Sequence, residues 1–213
     1  VKLHLALDTA TDVATIAVGT PGHSSLEVRI AARRELSRGI EREVARLLER
    51  HGSAAAELAA VVVADGPGSF TGLRIGLAFA KGLCRVLGVP LLTAPSLLGA
   101  ARAGVPSRGS VLVRYDALRG QVYRAAYRFD ASGGVCVLLE PELADAGSPV
   151  PLSPAPPLEV GAEAASAAAL LRLVGVAGGA RVVPDPAAWE PNYGRPAEAE
   201  ARRLAAERLR GQR

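Results

Sequence analysis

The sequence holds no methionine, two cysteines, three histidines and one tryptophan, and its aromatics make up 4% of 213 residues. Each shortage removes a class of protein. Two cysteines, Cys84 and Cys136, cannot build a disulfide framework, which points to a reducing cytoplasm. The histidines His4, His23 and His51 are scattered without metal-ligand spacing, so no metal site is expected. No Ser–His–Asp or Cys–His arrangement can be defended, and Ser69 in Gly68-Ser69-Phe70 is not a Gly-x-Ser-x-Gly elbow. Long apolar runs are missing too. The longest uncharged stretch, Val86 to Ala101, is broken by Pro90 and Pro95, so no membrane span is expected. Val1 to Leu7 is too short for a secretory leader, and without any methionine Val1 is not expected to be the translated start. Lysine is confined to Lys2 and Lys81; the other cations are arginines, and the net charge of +4 is too weak to demand a nucleic-acid partner.

Glycine is plentiful where it matters. The stretch Gly66-Pro67-Gly68-Ser69-Phe70-Thr71-Gly72-Leu73-Arg74-Ile75-Gly76 follows a buried-strand pattern, Ala60 to Ala64, and opens a long helical one, Leu73 to Leu87, with Ser69 or Thr71 as its cap. It carries neither phosphate signature. Gly72 is followed by Leu73 and Arg74 rather than Lys-Ser or Lys-Thr, and the glycine spacing departs from G-x-G-x-x-G. Gly72, Gly76 and Ala80 share one helical face of little bulk, against which another helix could pack closely. Leu73, Ile75, Leu77, Ala78, Phe79, Leu83 and Val86 wrap more of the helix than one buried face requires, so two neighbours are expected: the home sheet and a partner.

Strands are expected at Leu3–Leu7, Thr15–Gly19 and Leu26–Ala31, then an amphipathic helix at Leu36–Arg50 with Leu36, Ile40, Val44, Leu47 and Leu48 on one face. The latter helix also carries a basic stripe, Arg34, Arg38, Arg42, Arg46 and Arg50, interleaved with Glu35, Glu41, Glu43 and Glu49; it reads as a solvated face or as an edge for an acidic partner or an RNA backbone. A strand at Val89–Thr93 and a helix from Pro95-Ser96 to about Ala103 lead to a joint, Gly104 to Gly109. The opening pattern then returns: Val111 to Tyr115 ends at Asp116, a tight turn follows to Gly120, and strands are expected at Gln121–Phe129 and Val135–Leu139. This suggests an internal duplication, with lobes at 1–104 and 105–213. Ala146 to Leu158 carries five prolines and reads as a loop or an irregular crossing; helices are expected at Glu163–Leu173 and Pro196–Arg210, the last packing back on the first lobe.

Three segments resemble the TsaB/YeaZ family: Leu5-Ala6-Leu7-Asp8-Thr9-Ala10-Thr11, the Gly66–Gly76 motif, and Asp116-Ala117-Leu118-Arg119-Gly120-Gln121-Val122-Tyr123. Glu190-Pro191-x-Tyr193-x-Arg195 is similar to the family's closing motif. The resemblance implies an α/β fold of two ribonuclease-H-like, actin-like ATPase lobes, with mixed sheets flanked by helices. It implies a non-catalytic subunit in the synthesis of tRNA N6-threonylcarbamoyladenosine at position 37. Such a subunit pairs with a TsaD-like transferase, is joined by a TsaE-like ATPase, meets tRNA only through the complex, and forms a homodimer when its partner is absent. The implied partner-binding residues are Leu36, Ile40, Val44, Leu47, Phe70, Leu73, Gly76, Leu77, Ala80 and Cys84. In the superfamily each lobe's first hairpin wraps a nucleotide's phosphates, which makes Asp8, Thr9, Thr11, Asp116 and Gly120 the candidate nucleotide-binding positions. No cofactor is expected for the isolated chain, with ATP or ADP confined to an interface of the complex. The His-x-x-x-His pair of the superfamily's transferases is missing, and Leu36 stands where the family often has histidine. An active ATPase or phosphotransferase of the same fold, a glycoprotease-like protein and an arginine-based RNA-binding module are the alternatives.

Overall fold

The computed structural model describes residues 2–194 except 24, 32 and 106. The chain opens with an antiparallel meander, β1 (Leu3–Asp8), β2 (Ala14–Gly19) and β3 (Ser25–Ile30), in which Leu5 faces Val18 and Asp8 faces Thr15. Helix α1 (Arg33–His51) returns the chain to β4 (Leu58–Ala64), which lies parallel to β1. Helix α2 (Phe70–Leu87) leads to β5 (Leu91–Ala94), parallel to β4. A two-residue strand from far downstream, β10 (Arg181–Val182), completes a six-stranded sheet of order β10-β5-β4-β1-β2-β3.

The second sheet repeats the first. β6 (Gly109–Asp116), β7 (Gln121–Phe129) and β8 (Val135–Asp145) form the meander, and β9 (Leu158–Val160) lies parallel to β6. The order β8-β7-β6-β9 matches β3-β2-β1-β4 of the first sheet, strand for strand and sense for sense. The duplication expected from the two Asp-ended hairpins is therefore present in the topology.

Helices α1 and α2 cover one face of the first sheet, and their inward residues join Leu5, Leu7, Ile16, Val61, Val63 and Leu91 in one core. Helices α3 (Ser96–Gly104) and α4 (Ala167–Leu171) lie between the sheets, where Ala6, Ala17, Val62, Leu97, Leu170, Val111, Val113, Tyr127 and Phe129 form the second core. All six residues of β1 and of β2 are buried, because both faces of these central strands are covered.

Several boundaries depart from the sequence reading. β8 runs to Asp145 instead of stopping at Leu139, and β9 and β10 were not anticipated. The expected helix at Glu163–Leu173 breaks into a 3-10 turn, Ala162–Ala164, and the five-residue α4, because Ser166 is extended and serves as the cap, accepting the Ala169 N–H. The proline-rich stretch crosses the outer side of the second sheet as a strap. It takes the place that α1 holds between the corresponding strands of the first half. Buried Arg124 clamps the start of this strap, donating to the carbonyls of Ser148 and Pro149 at 3.0 Å each and to Glu142 at 2.8 Å. The expected helix Pro196–Arg210 lies outside the described residues, as does the Arg34 side chain. Arg38, Arg42, Arg46 and Arg50 are exposed, and Arg46 pairs with Glu43 at 2.7 Å, a surface bridge of little energetic weight.

Candidate functional site

The Gly66–Gly76 motif is the hub at which the segments of the molecule meet. Asp65 ends β4, and the Gly66–Pro67 peptide is cis. Gly66 donates its N–H to the Ser96 hydroxyl (2.9 Å) and accepts the Ser96 N–H (2.8 Å), which fixes the start of α3. Ser69 N–H reaches the Ala10 carbonyl at 2.7 Å, tying the motif to the β1–β2 turn, and the Ser69 hydroxyl caps α2 through Gly72 N–H at 3.2 Å.

Atoms of the chain itself, backbone at Gly66, Gly68 and Gly72 and the Thr9 side chain at Gly76, fill the space their side chains would take. A Cβ on Gly66 would overlap the Asn192 carbonyl, one on Gly68 the Ala10 carbonyl, one on Gly72 the Thr9 carbonyl, and one on Gly76 the Thr9 hydroxyl. The loop that carries Glu190 to Gly194 folds over the motif. Asn192 N–H bonds to the Asp65 carbonyl at 2.8 Å, Lys81 reaches the Trp189 carbonyl, and the Tyr193 ring lies 4.5 Å from the Phe70 ring, centroid to centroid. Tyr123 of the second lobe donates its hydroxyl to the Tyr193 carbonyl at 3.4 Å. One loop thus touches both lobes. Arg195 of the closing motif lies outside the described residues.

The residues expected to bind nucleotide do not form a phosphate cradle. Asp8 is fully buried; Oδ1 accepts the Ala10 N–H at 3.0 Å, Oδ2 has no partner, and burial pushes its carboxyl up to about 6. Thr9 is buried against Gly76, and the Thr11 hydroxyl turns to the Val13 carbonyl at 2.8 Å. Asp116 is exposed and accepts the Leu118 N–H at 2.8 Å, closing a hairpin in which Leu118 and Arg119 have positive φ and Gly120 follows at 74°. Asp8 is buried and Asp116 is exposed, so the two hairpin carboxylates do not face a common site. Among the described residues, no group of three or more His, Cys, Asp or Glu could hold a metal ion.

The residues of the expected docking set lie mostly inside the chain. Leu36, Ile40, Val44, Leu47, Leu73, Gly76, Leu77, Ala80 and Cys84 are all buried within the chain, and of that set only Phe70 is exposed. Their partners are the first sheet and the Thr9 turn, so the small stripe Gly72–Gly76–Ala80 faces inward. The thiol of Cys84 is pushed up to about 11 by burial, which fits a core side chain. Of the residues expected to wrap α2, Ile75, Phe79 and Leu83 pack against the chain's own core, and a different row faces outward. Ala78, Gly82 and Val86 point outward at four-residue spacing, Gly82 with open space around it and Val86 82% exposed, flanked by Arg74 and Arg85. α2 contains no acidic residue.

Sequence reasoning missed Ser96, Thr15, Arg124 and the Asp65–Arg181 pair (2.9 Å), whose bonds run between segments far apart in the chain. Among the described residues no helix is long and apolar enough to cross a membrane.

Residues 29–136 match the family model described as TsaD, tRNA N6-adenosine threonylcarbamoyltransferase. The chain is 33% identical over 131 residues to the tRNA threonylcarbamoyladenosine biosynthesis protein TsaB of Escherichia coli, covering 61% of this chain and 56% of that protein. It is 42% identical over 73 residues to the TsaB of Bacillus subtilis, covering 34% of this chain and 32% of that protein. These matches thus span only about half, or less, of the length of the curated relatives. Among solved structures it superposes on YeaZ from Pseudomonas aeruginosa with a TM-score of 0.73 at 24% identity, covering 82% of this chain and 91% of that one. With the duplicated sheets and the glycine motif packed as described, the chain belongs to the family whose model is described as TsaD, tRNA N6-adenosine threonylcarbamoyltransferase, and is similar to the TsaB and YeaZ proteins.

Proposed function

We propose that this chain is a non-catalytic subunit in bacterial synthesis of tRNA N6-threonylcarbamoyladenosine. Its task is to bind and support a TsaD-like transferase, with a TsaE-like ATPase joining the pair and tRNA reached only through the assembly. The observation that carries this reading is the filled glycine motif. The segment most diagnostic of the family is occupied by the chain's own Thr9, Ala10 and Asn192, so it serves architecture rather than phosphate chemistry. The curated relatives named for threonylcarbamoyladenosine biosynthesis supply the pathway.

The docking face is assigned to the outward side of α2, centred on Ala78, Gly82 and Val86, with exposed residues of α1 beside it. Small residues admit a partner helix to close range, Val86 supplies an apolar contact, and Arg74 and Arg85 bias the face toward an acidic partner. The same face pairs two copies when the transferase is absent, and residence in the cytoplasm follows from this work on tRNA. Co-expression with a TsaD-like protein, followed by gel filtration, tests the proposal. Co-elution and reconstituted threonylcarbamoylation support it; separate elution together with activity of the transferase alone overturns it.

A further inference from the structure

The outward side of α2 is bare among the described residues. Ala78, Gly82 and Val86 make a row of low relief there: Val86 is 82% exposed, and a Cβ on Gly82 would meet nothing within 4 Å. At the N-terminal end of the same helix a small hollow opens between α1 and α2, lined in part by Ile30, Leu36 and Ile75. An apolar surface of this kind marks a place of contact.

The path of the chain points to what covers it. From Lys81, which bonds the Trp189 carbonyl, the chain runs back along α2 to Phe70, against which Tyr193 packs. Gly194, the last described residue at this end, lies against Pro67 and Tyr123. Residues 195–213 therefore depart beside the N-terminal end of the helix that carries the row. Phe70 and Val86 are about 24 Å apart along α2, and the helix expected at Pro196–Arg210 would span about 22 Å.

The segment also matches the row in size and charge. Ala197, Ala201, Leu204 and Ala205 fall on one side at helical spacing, which sets small residues against the small Ala78 and Gly82. Glu198, Glu200 and Glu207 border that side, while α2 carries Arg74 and Arg85 beside its row and no acidic residue. For the segment's arginines, Glu41 and Glu49 are exposed on α1, which packs next to α2.

We infer that residues 196–210 fold back over the outward side of α2 and cover it in the free monomer, so that a helix docking there has to displace them. The cover regulates the docking face proposed above and rests on that reading for what displaces it.

Thiol labelling of the full chain tests the cover. Cys136→Ser removes the exposed thiol, Cys84 is buried, and Val86→Cys places the probe in the row. At concentrations where sedimentation shows a monomer, a maleimide is expected to label this chain roughly tenfold more slowly than one that also carries Ala201→Glu and Ala205→Glu. Equal rates in the two chains overturn the inference. Protection that appears only as concentration rises, and equally in both chains, assigns the row to a second copy alone and overturns it as well. Adding a TsaD-like protein separates the two readings: if it leaves labelling of the Ala201→Glu, Ala205→Glu chain unchanged, the docking reading fails, while the difference between the two free chains still decides the cover.

Discussion

Gly76 lies against the side chain of Thr9, so closely that a methyl group on Gly76 would overlap the Thr9 hydroxyl. Gly82, on the opposite side of the same helix, has nothing within 4 Å. The pair defines a sharp comparison. Gly76→Ala forces the β1–β2 turn away from α2 and lowers stability by about 1–3 kcal/mol. Gly82→Ala meets open space, gains helix propensity and raises stability by about 0.5–1 kcal/mol. Urea midpoints of the two variants are expected to move in opposite directions.

The outward side of α2 gives a second contrast. Val86→Glu and Ala78→Glu alter exposed positions and are expected to keep the native circular dichroism spectrum and thermal midpoint while weakening binding to a TsaD-like partner at least tenfold by calorimetry. Val44→Glu places a carboxylate in the buried core of α1 and is expected to cost several kcal/mol and unfold the first lobe. Equal binding by natural chain and Val86→Glu would remove this face from the interface.

Arg124→Ala is expected to release the proline-rich strap. Its guanidinium holds two strap carbonyls and Glu142 from a buried position, so its loss leaves those acceptors without their donor. Limited proteolysis should cut within 147–157 in the variant under conditions that leave the natural chain whole. An unchanged digestion pattern would mean that packing alone holds the strap.

Stability should be greatest at mildly acid pH. Burial raises both Asp8 and Asp65, so each folded carboxyl keeps its proton to higher pH than the unfolded one. The stability this confers is complete below about 3.8 and is lost as pH rises, for Asp8 through about 6, a loss of about 3 kcal/mol for that residue. Asp130, held low by Ser132 and Gly134, acts in the opposite sense at more acid pH. Urea midpoints should therefore fall between pH 5 and 7.5 and fall less in Asp8→Asn.

Much of this molecule is written in short-range pattern. The alternation in Leu3–Leu7 and Gln121–Phe129, the repeated strand–Asp–turn units and the Ser69 cap all follow from neighbours in the chain, and the structure contains them. What pattern could not supply is the identity of the packing partner. The four-residue spacing of Gly72, Gly76 and Ala80 marks a surface of close approach, but the approaching body is Thr9 of the same chain. The Ala/Leu-rich run after Glu163 has ample helix propensity, yet Glu27 and Thr15 take its amides individually and shorten it to α4. The buried state of Asp8 likewise depends on Leu170, whose place follows only from the tertiary fold.

Replacement of a helix by a proline strap has a consequence for assembly. The two halves share one strand pattern, but among the described residues only the first has helices on its outer flank. A molecule with a helical flank on one side and a braced ribbon on the other can join a helical bundle from a single direction. On the proposed docking through α2, it would terminate such a bundle instead of extending it.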